Sequence, residues 1–287
     1  MYRTGIITDE VSQNIEFAAK FAKDYNLDAL EIRSVDSKNP FDLSMNDYRM
    51  IKNIASDNGL QICAISSPLF KCRIDDIDLI KNHFEKLKHC IEAAYILECK
   101  IIRGFTFFRD NKNPNQLIQA TDIFQKIIPI IEDSDCEIVL ESEPSVTTHN
   151  IATLIQFLDR VNNQKVMALF DPGNEAADNP NNPPFPDGYF QIKKYLRHVH
   201  LKDIKKTENS YDPVPLGDGD VDYMGLLNQL KKDNYSGYVV VETHYRVKER
   251  LDESILIKPQ GNDFSEGGYE ASKIYLERLR DVYHWQS

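Results

Sequence analysis

Between Glu137 and His244 the chain carries EIVLES at 137–142, VMALFD at 166–171, RHVHLKD at 197–203 and YVVVETH at 238–244. Each is a short apolar run ending in ionisable residues, which reads as a buried strand delivering polar groups at its C-terminal end. Working outward, four similar runs come first: GIIT from Gly5, ALEIRSV from Ala29, QICAISS from Gln61 and KIIRGF from Lys100. The eight starts lie 24 to 41 residues apart, with helical patterns between them. Strands alternating with crossover helices form parallel βαβ units, and eight such units predict an α/β fold closed as a (β/α)8 TIM barrel. No long low-complexity linker divides the chain, so one domain spanning residues 1–287 is expected.

The helices between the runs carry legible signals. Ile15, Ala18, Ala22 and Tyr25 recur at helical spacing behind Ser12, a candidate N-cap. Ser44 and Asp47 have the spacing of a capping box, with Gly59 as the stop. Ile77, Ile80, Phe84, Leu87, Ile91 and Ala94 form the clearest apolar stripe and predict a barrel-facing helix. Pro129, inside a helical stretch from 115 to 132, predicts a kink or an earlier helix end. Pro172–Gly188 and Tyr245–Ser265 read as long loops leaving strand ends, where they are expected to cover a substrate.

The composition narrows the function. With 34 basic against 45 acidic residues the formal net charge is -11, which repels a phosphate backbone and argues against nucleic acid as a partner. The five cysteines are odd in number and contain no Cys-x-x-Cys pair, as expected of buried free thiols in a reducing compartment. MYRTGIITDE lacks the basic head and apolar core of a leader, and no run reaches the ~18 apolar residues of a membrane span. A soluble cytoplasmic protein, free to form a homo-oligomer, is the expectation.

Barrel chemistry takes place at the C-terminal strand ends. There strand five offers Glu141, strand six Asp171, strand seven His200 and strand eight Glu242. One such residue is usually structural, but four on adjacent strands bring negative charges together at high Coulomb cost unless a cation offsets them. Three carboxylates and one imidazole suit one divalent ion, Mn²⁺ best, with Mg²⁺, Co²⁺ or Zn²⁺ as alternatives. The competing reading is a metal-free network of ion pairs with Arg103, Lys202 and Arg197. Lys202 and Arg103 are candidate contacts for substrate oxygens, and His198, two residues before His200, shares its inward face and reads as orienting a ligand rather than binding metal. Glu143 faces the same way as Glu141 and competes with it as the strand-five ligand, while His244 and Arg246 lie just beyond Glu242.

The succession VLESEP, LFDPGN, HVHLKD, GDGDVD (Gly217–Asp222) and VVVETH, with Glu31 on strand two and Arg103 on strand four, resembles the xylose-isomerase-like sugar isomerase and epimerase family over nearly the whole chain. The resemblance implies a (β/α)8 barrel with one divalent ion. Glu141, Asp171, His200 and Glu242 become its ligands, and Glu141 and Glu242 double as an acid/base pair on opposite sides of the bound sugar. Lys202, Arg103, Asn174, His198 and Glu31 become candidate substrate contacts. The implied activity is isomerisation or epimerisation of a small sugar, keto sugar or cyclic polyol through an enediolate. Loss of a β-hydroxyl from the same enediolate gives a dehydratase or lyase, and a non-catalytic sugar-binding protein is a third possibility.

Two departures qualify the resemblance. Many members place a histidine three residues after the strand-six Asp, where this chain has Asn174, a hydrogen-bonding group but a poor metal ligand. The apurinic endonucleases of the same superfamily use extra histidines on strands three and four. Those strands end here in Ile65-Ser66-Ser67-Pro68 and Arg103-Gly104-Phe105, which argues against DNA repair.

Overall fold

Eight parallel strands close on themselves: β1 (Arg3–Ile7), β2 (Ala29–Ile32), β3 (Gln61–Leu69), β4 (Ile101–Gly104), β5 (Glu137–Glu141), β6 (Val166–Phe170), β7 (Leu196–Leu201) and β10 (Tyr238–Val241). Each pairs with the next in the chain, and β10 pairs with β1 to complete the ring. This is the (β/α)8 barrel that the eight runs predict. The computed structural model describes residues 1–178, 182–207, 210–247 and 268–285.

The runs read as unbroken apolar stretches because both faces are covered: β2, β6 and β10 are buried at every position. Paired residues share a face of the sheet. The pairs Ile7 with Glu31, Arg103 with Val139, Glu141 with Leu169 and Val240 with His200 therefore set the inward face. Ile7, Ala29, Cys63, Tyr238 and Val240 form an apolar cluster on that face, beneath the ionisable residues that follow them along the strands.

The outer layer comprises α1 (Ile15–Asp24), α2 (Met45–Asp57), α3 (Ile77–Leu97), α4 (Gln116–Glu132), α5 (Ile151–Val161), α6 (Pro172–Asp178), α7 (Tyr189–Ile192), α8 (Tyr223–Lys232) and α9 (Gly268–Asp281). The Ser44–Asp47 capping box is present, and Gly59 follows α2 with φ +74°. For α1 the expected cap is displaced: Asn14, not Ser12, accepts from the Phe17 N–H at 2.9 Å, and the Ser12 hydroxyl accepts instead from the Asn14 N–H. The α3 stripe buries Ile80, Leu87, Ile91 and Ala94 but leaves Ile77 exposed in the first turn. Helix α4 runs through Pro129 to Glu132, so the earlier end does not occur; buried Ile127, Ile128 and Ile131 pack its last turns against the core.

Two expectations about loops change. Pro172–Gly188 is not a simple loop, because it opens with α6, whose first residue is Pro172. Proline suits that position, where no helical N–H partner is needed. Residues 248–265 of the second segment lie outside the described residues. An antiparallel hairpin, β8 (Ile204–Lys206) with β9 (Tyr211–Pro213), follows β7. All five cysteines are free and buried.

Candidate active site

At the C-terminal mouth, ligand atoms of Glu141, Asp171, His200 and Glu242 all lie within 4.8 Å of one another, and all four residues are buried. Glu141 ends β5, Asp171 follows β6, His200 lies in β7 and Glu242 follows β10. Asp171 does two things at once. Its Oδ1 accepts from the Asn174 N–H at 3.1 Å in the first turn of α6, and its Oδ2 lies 2.6 Å from the Lys202 ammonium. Gly173 is required there, since a Cβ would overlap the Lys202 carbonyl.

Each glutamate is held on one oxygen by a guanidinium. Arg103 Nη1 donates to Glu141 Oε2 at 3.1 Å, and the Asn174 side-chain amide donates to the other oxygen at 3.0 Å. Arg33 Nη1 donates to Glu242 Oε1 at 2.7 Å, while Glu242 Oε2 accepts from Lys202 at 3.0 Å. Burial opposes the charge on Glu242, but Lys202, His244 and His200 outweigh it and hold the carboxyl well below its ordinary range.

His200 is turned from below. Its Nε2 lies 3.1 Å from Glu31 Oε1, and His198 Nε2 lies 2.6 Å from Glu31 Oε2. The Ser66 hydroxyl also donates to Glu31, so both carboxylate oxygens are engaged within the protein. The His200 Nδ1 consequently faces the ring, 3.3 Å from Glu242 Oε2 and 4.0 Å from Glu141 Oε1. Burial disfavours an imidazolium there, yet Glu31 and Glu242 overcome it and raise the His200 pKa to about 10, so a cation binding at Nδ1 would displace a proton from it.

These groups fit a divalent ion. His200 Nδ1 and Asp171 Oδ2 are buried without a well-formed hydrogen bond, and both belong to the ring. Burial, with Glu242 and Glu141 nearby, pushes the Asp171 carboxyl up despite Lys202. The donor set, three oxygens and one imidazole nitrogen, suits hard to borderline cations.

The remaining sequence candidates fall around this ring. Glu143 is drawn away by Lys71, whose ammonium lies 2.9 Å from it. Arg197 pairs with Glu137 at 3.0 Å at the opposite ends of the strands and takes no part. His244 Nε2 lies 3.3 Å from Glu242, and Arg246 donates to Glu10 at 3.2 Å. The Gly217–Asp222 motif is structural: the Gly217 and Gly219 N–H groups donate to Asp203 at 2.7 and 3.1 Å, and Asp222 caps α8 through the Gly225 N–H.

Residues 19–263 match the model of a family described as xylose isomerase-like TIM barrel. The chain belongs to that family. D-allulose 3-epimerase from Methylomonas sp. superposes with a TM-score of 0.74 at 15% identity, covering 97% of each chain. The probable 3-DHS dehydratase AsbF of Bacillus anthracis gives 0.76 at 15% identity, covering 98% of this chain and 100% of that one. These two likenesses concern the fold. In sequence, the chain is 29% identical over 119 residues to an inosose dehydratase of Clostridium perfringens; the match spans 33% of this chain and only 38% of that protein.

Sequence reasoning missed three members of the site. Arg33 follows β2, and Asp9 and Glu10 follow β1; all three are buried charges at strand ends. Their signal was available, because Arg33 lies two residues beyond Glu31 and so shares its inward face. TDE at 8–10 has the same form as the other acid-bearing strand ends of this xylose isomerase-like chain.

Proposed function

We propose that the protein is a divalent-metal-dependent isomerase or epimerase of a small sugar, keto sugar or cyclic polyol. The observation that carries this reading is the buried ring of Glu141, Asp171, His200 and Glu242, with His200 Nδ1 turned into it by Glu31. Those four residues would hold the ion, with Mn²⁺ the best match and Mg²⁺, Co²⁺ or Zn²⁺ as alternatives. When bound, it supplies Lewis acidity that polarises a substrate carbonyl and acidifies the neighbouring C–H.

The protein groups divide the remaining work. Glu141 and Glu242 flank Asp171 and His200, so one carboxylate removes the α-proton and the other returns a proton to the enediolate carbon with inversion. Delivery of the proton to the former carbonyl carbon gives aldose–ketose isomerisation instead. Lys202, Arg103 and Asn174 orient substrate oxygens at the mouth. Glu31 and His198, grouped with the substrate contacts on sequence grounds, are better read as positioning residues, because Glu31 is spent on the two imidazoles and Ser66.

A second reading, dehydration of a keto polyol, draws support from the inosose dehydratase match. It uses the same first proton abstraction and then expels a β-hydroxyl. Incubation of metal-replete protein with a panel of ketoses and keto-polyols, followed by NMR of products, separates the two. Epimers or aldoses support the first reading, and products lighter by one water support the second. A protein that binds a divalent ion yet alters no member of the panel contradicts both.

A further inference from the structure

Arg33 is a fully committed cation outside the four-residue ring. Its Nε lies 3.1 Å from both carboxylate oxygens of Asp9, Nη2 donates to Glu10 Oε1 at 2.7 Å, and Nη1 donates to Glu242 Oε1 at 2.7 Å. It is 4% exposed, and Asp9 and Glu10 are completely buried. Glu10 is itself fixed by the Thr243 hydroxyl at 2.7 Å and by Arg246 at 3.2 Å. One planar guanidinium thus joins the ends of β1, β2 and β10.

We infer that Arg33 is the positioning residue of Glu242: braced by Asp9 and Glu10, it occupies Oε1 and leaves only Oε2 to face the ring. The inference rests on the reading of Glu242 as ligand and acid/base group. The arrangement mirrors Glu141, where Arg103 holds Oε2 and Asn174 holds Oε1. The two glutamates differ in what the brace can do. Arg103 carries Phe105 against its guanidinium, 4.9 Å from the ring centre, and bonds the Ser66 carbonyl. Arg33 instead has carboxylates on three of its edges, which fix its plane and leave it no freedom to swing toward a substrate. Its effect on chemistry therefore passes through the orientation of Glu242, and misplacement of a reacting group by about 1 Å costs on the order of 10²-fold in rate.

The test uses full-length Arg33→Lys and Asp9→Asn, the second leaving Arg33 in place while removing its brace. Three readouts are taken: Mn²⁺ affinity of chelator-stripped protein by calorimetry, the Mn²⁺ EPR spectrum of loaded protein, and kcat and KM on the substrate that the product screen yields. Lysine keeps the charge but cannot span three carboxylates, so Arg33→Lys should bind Mn²⁺ about 10-fold more weakly, with an altered EPR spectrum. It should lose about 10²-fold in kcat with KM within about 2-fold, since Arg33 does not touch substrate. Asp9→Asn should shift the same quantities in the same direction by a smaller factor. Wild-type Mn²⁺ affinity and EPR spectrum in both variants, whatever their melting temperatures, would overturn the inference and leave the proposed function standing. A wild-type protein that binds none of Mn²⁺, Mg²⁺, Co²⁺ and Zn²⁺ would overturn the proposed function and this inference with it. A loaded wild type that turns over no substrate would remove the proposed chemistry alone, because the two metal readouts still decide the role of Arg33.

Discussion

Glu31 stands between two imidazoles, with Oε2 2.6 Å from Nε2 of His198 and Oε1 3.1 Å from Nε2 of His200. A carboxylate at Nε2 selects the tautomer that carries its proton there, leaving the Nδ1 lone pair of His200 for a cation. Burial works against the charge on Glu31, but the two histidines overcome it and hold the carboxyl well below its ordinary range. Glu31→Gln preserves shape but offers only one acceptor to two N–H donors. It should weaken metal binding by about 10- to 100-fold while leaving the circular dichroism spectrum unchanged. Isothermal titration with Mn²⁺ measures this, and unchanged affinity would assign Glu31 to packing alone.

Removing a ring member should release the ion outright. Asp171→Ala or His200→Ala deletes one of four ligands, and the purified variants should carry well under one metal per chain where the wild type carries about one. Elemental analysis by mass spectrometry gives the ratio. Three zinc ions per chain in the wild type would contradict a single-ion ring.

A separate expectation concerns His83 on α3, whose Nδ1 accepts from the Phe70 N–H at 2.8 Å. Phe70 follows β3 in a left-handed conformation with φ 59°, so this bond helps hold a strained turn beside the mouth. Burial, aided by the Lys86 charge, lowers the His83 pKa from 6.5 to about 4. A lowered folded-state value means that its contribution is fully present above the unfolded value of 6.5 and is lost as pH falls toward 4. The contribution is about 3 kcal/mol at most. His83→Asn keeps an acceptor but does not titrate. Urea melts between pH 7 and pH 4 should therefore show a smaller loss of stability for the variant than for the wild type, and equal losses would remove His83 from the account.

Gly219 tests the structural reading of the Gly217–Asp222 motif. A Cβ at this position would overlap the Asp203 carboxylate and the Ile204 carbonyl. Gly219→Ala should cost about 1–3 kcal/mol in a denaturant melt while the metal content of the folded protein stays at the wild-type ratio. Loss of metal without loss of stability would place the motif in the site instead.

Much of this was legible in the chain because barrel strands bury both faces. VMALF and YVVV read as continuous apolar runs, and the residues that end them, Asp171 and Glu242, were conspicuous for breaking the run. Arg33, Asp9 and Glu10 were harder to see, because a lone Arg or an acidic pair after a short strand has the appearance of solvated surface, and only closure of β1 against β10 brings them to Glu242. Helix α6 was hidden by its Pro and Asn content. In retrospect Asp171-Pro172 announces it, as a capping carboxylate followed by a proline at the first helical position. The β8–β9 hairpin gave no signal, since its strands are only three residues long and carry no apolar run or alternation to read.

Glu141 and Glu242 are proposed to exchange a proton with the carbon next to a substrate carbonyl at a metal-loaded ring. The direct measurement is deuterium uptake from D₂O by a ketose or keto-polyol substrate, followed by NMR, for wild type, Glu141→Gln and Glu242→Gln at matched metal occupancy. Wild type should place label at the α-carbon of the product, and each variant should lose labelled, inverted product by at least about 10²-fold, the contribution expected of a positioned general base. Turnover that moves the original hydrogen quantitatively, with no solvent label at full occupancy, would contradict this exchange and point to a shielded hydride shift at the same site.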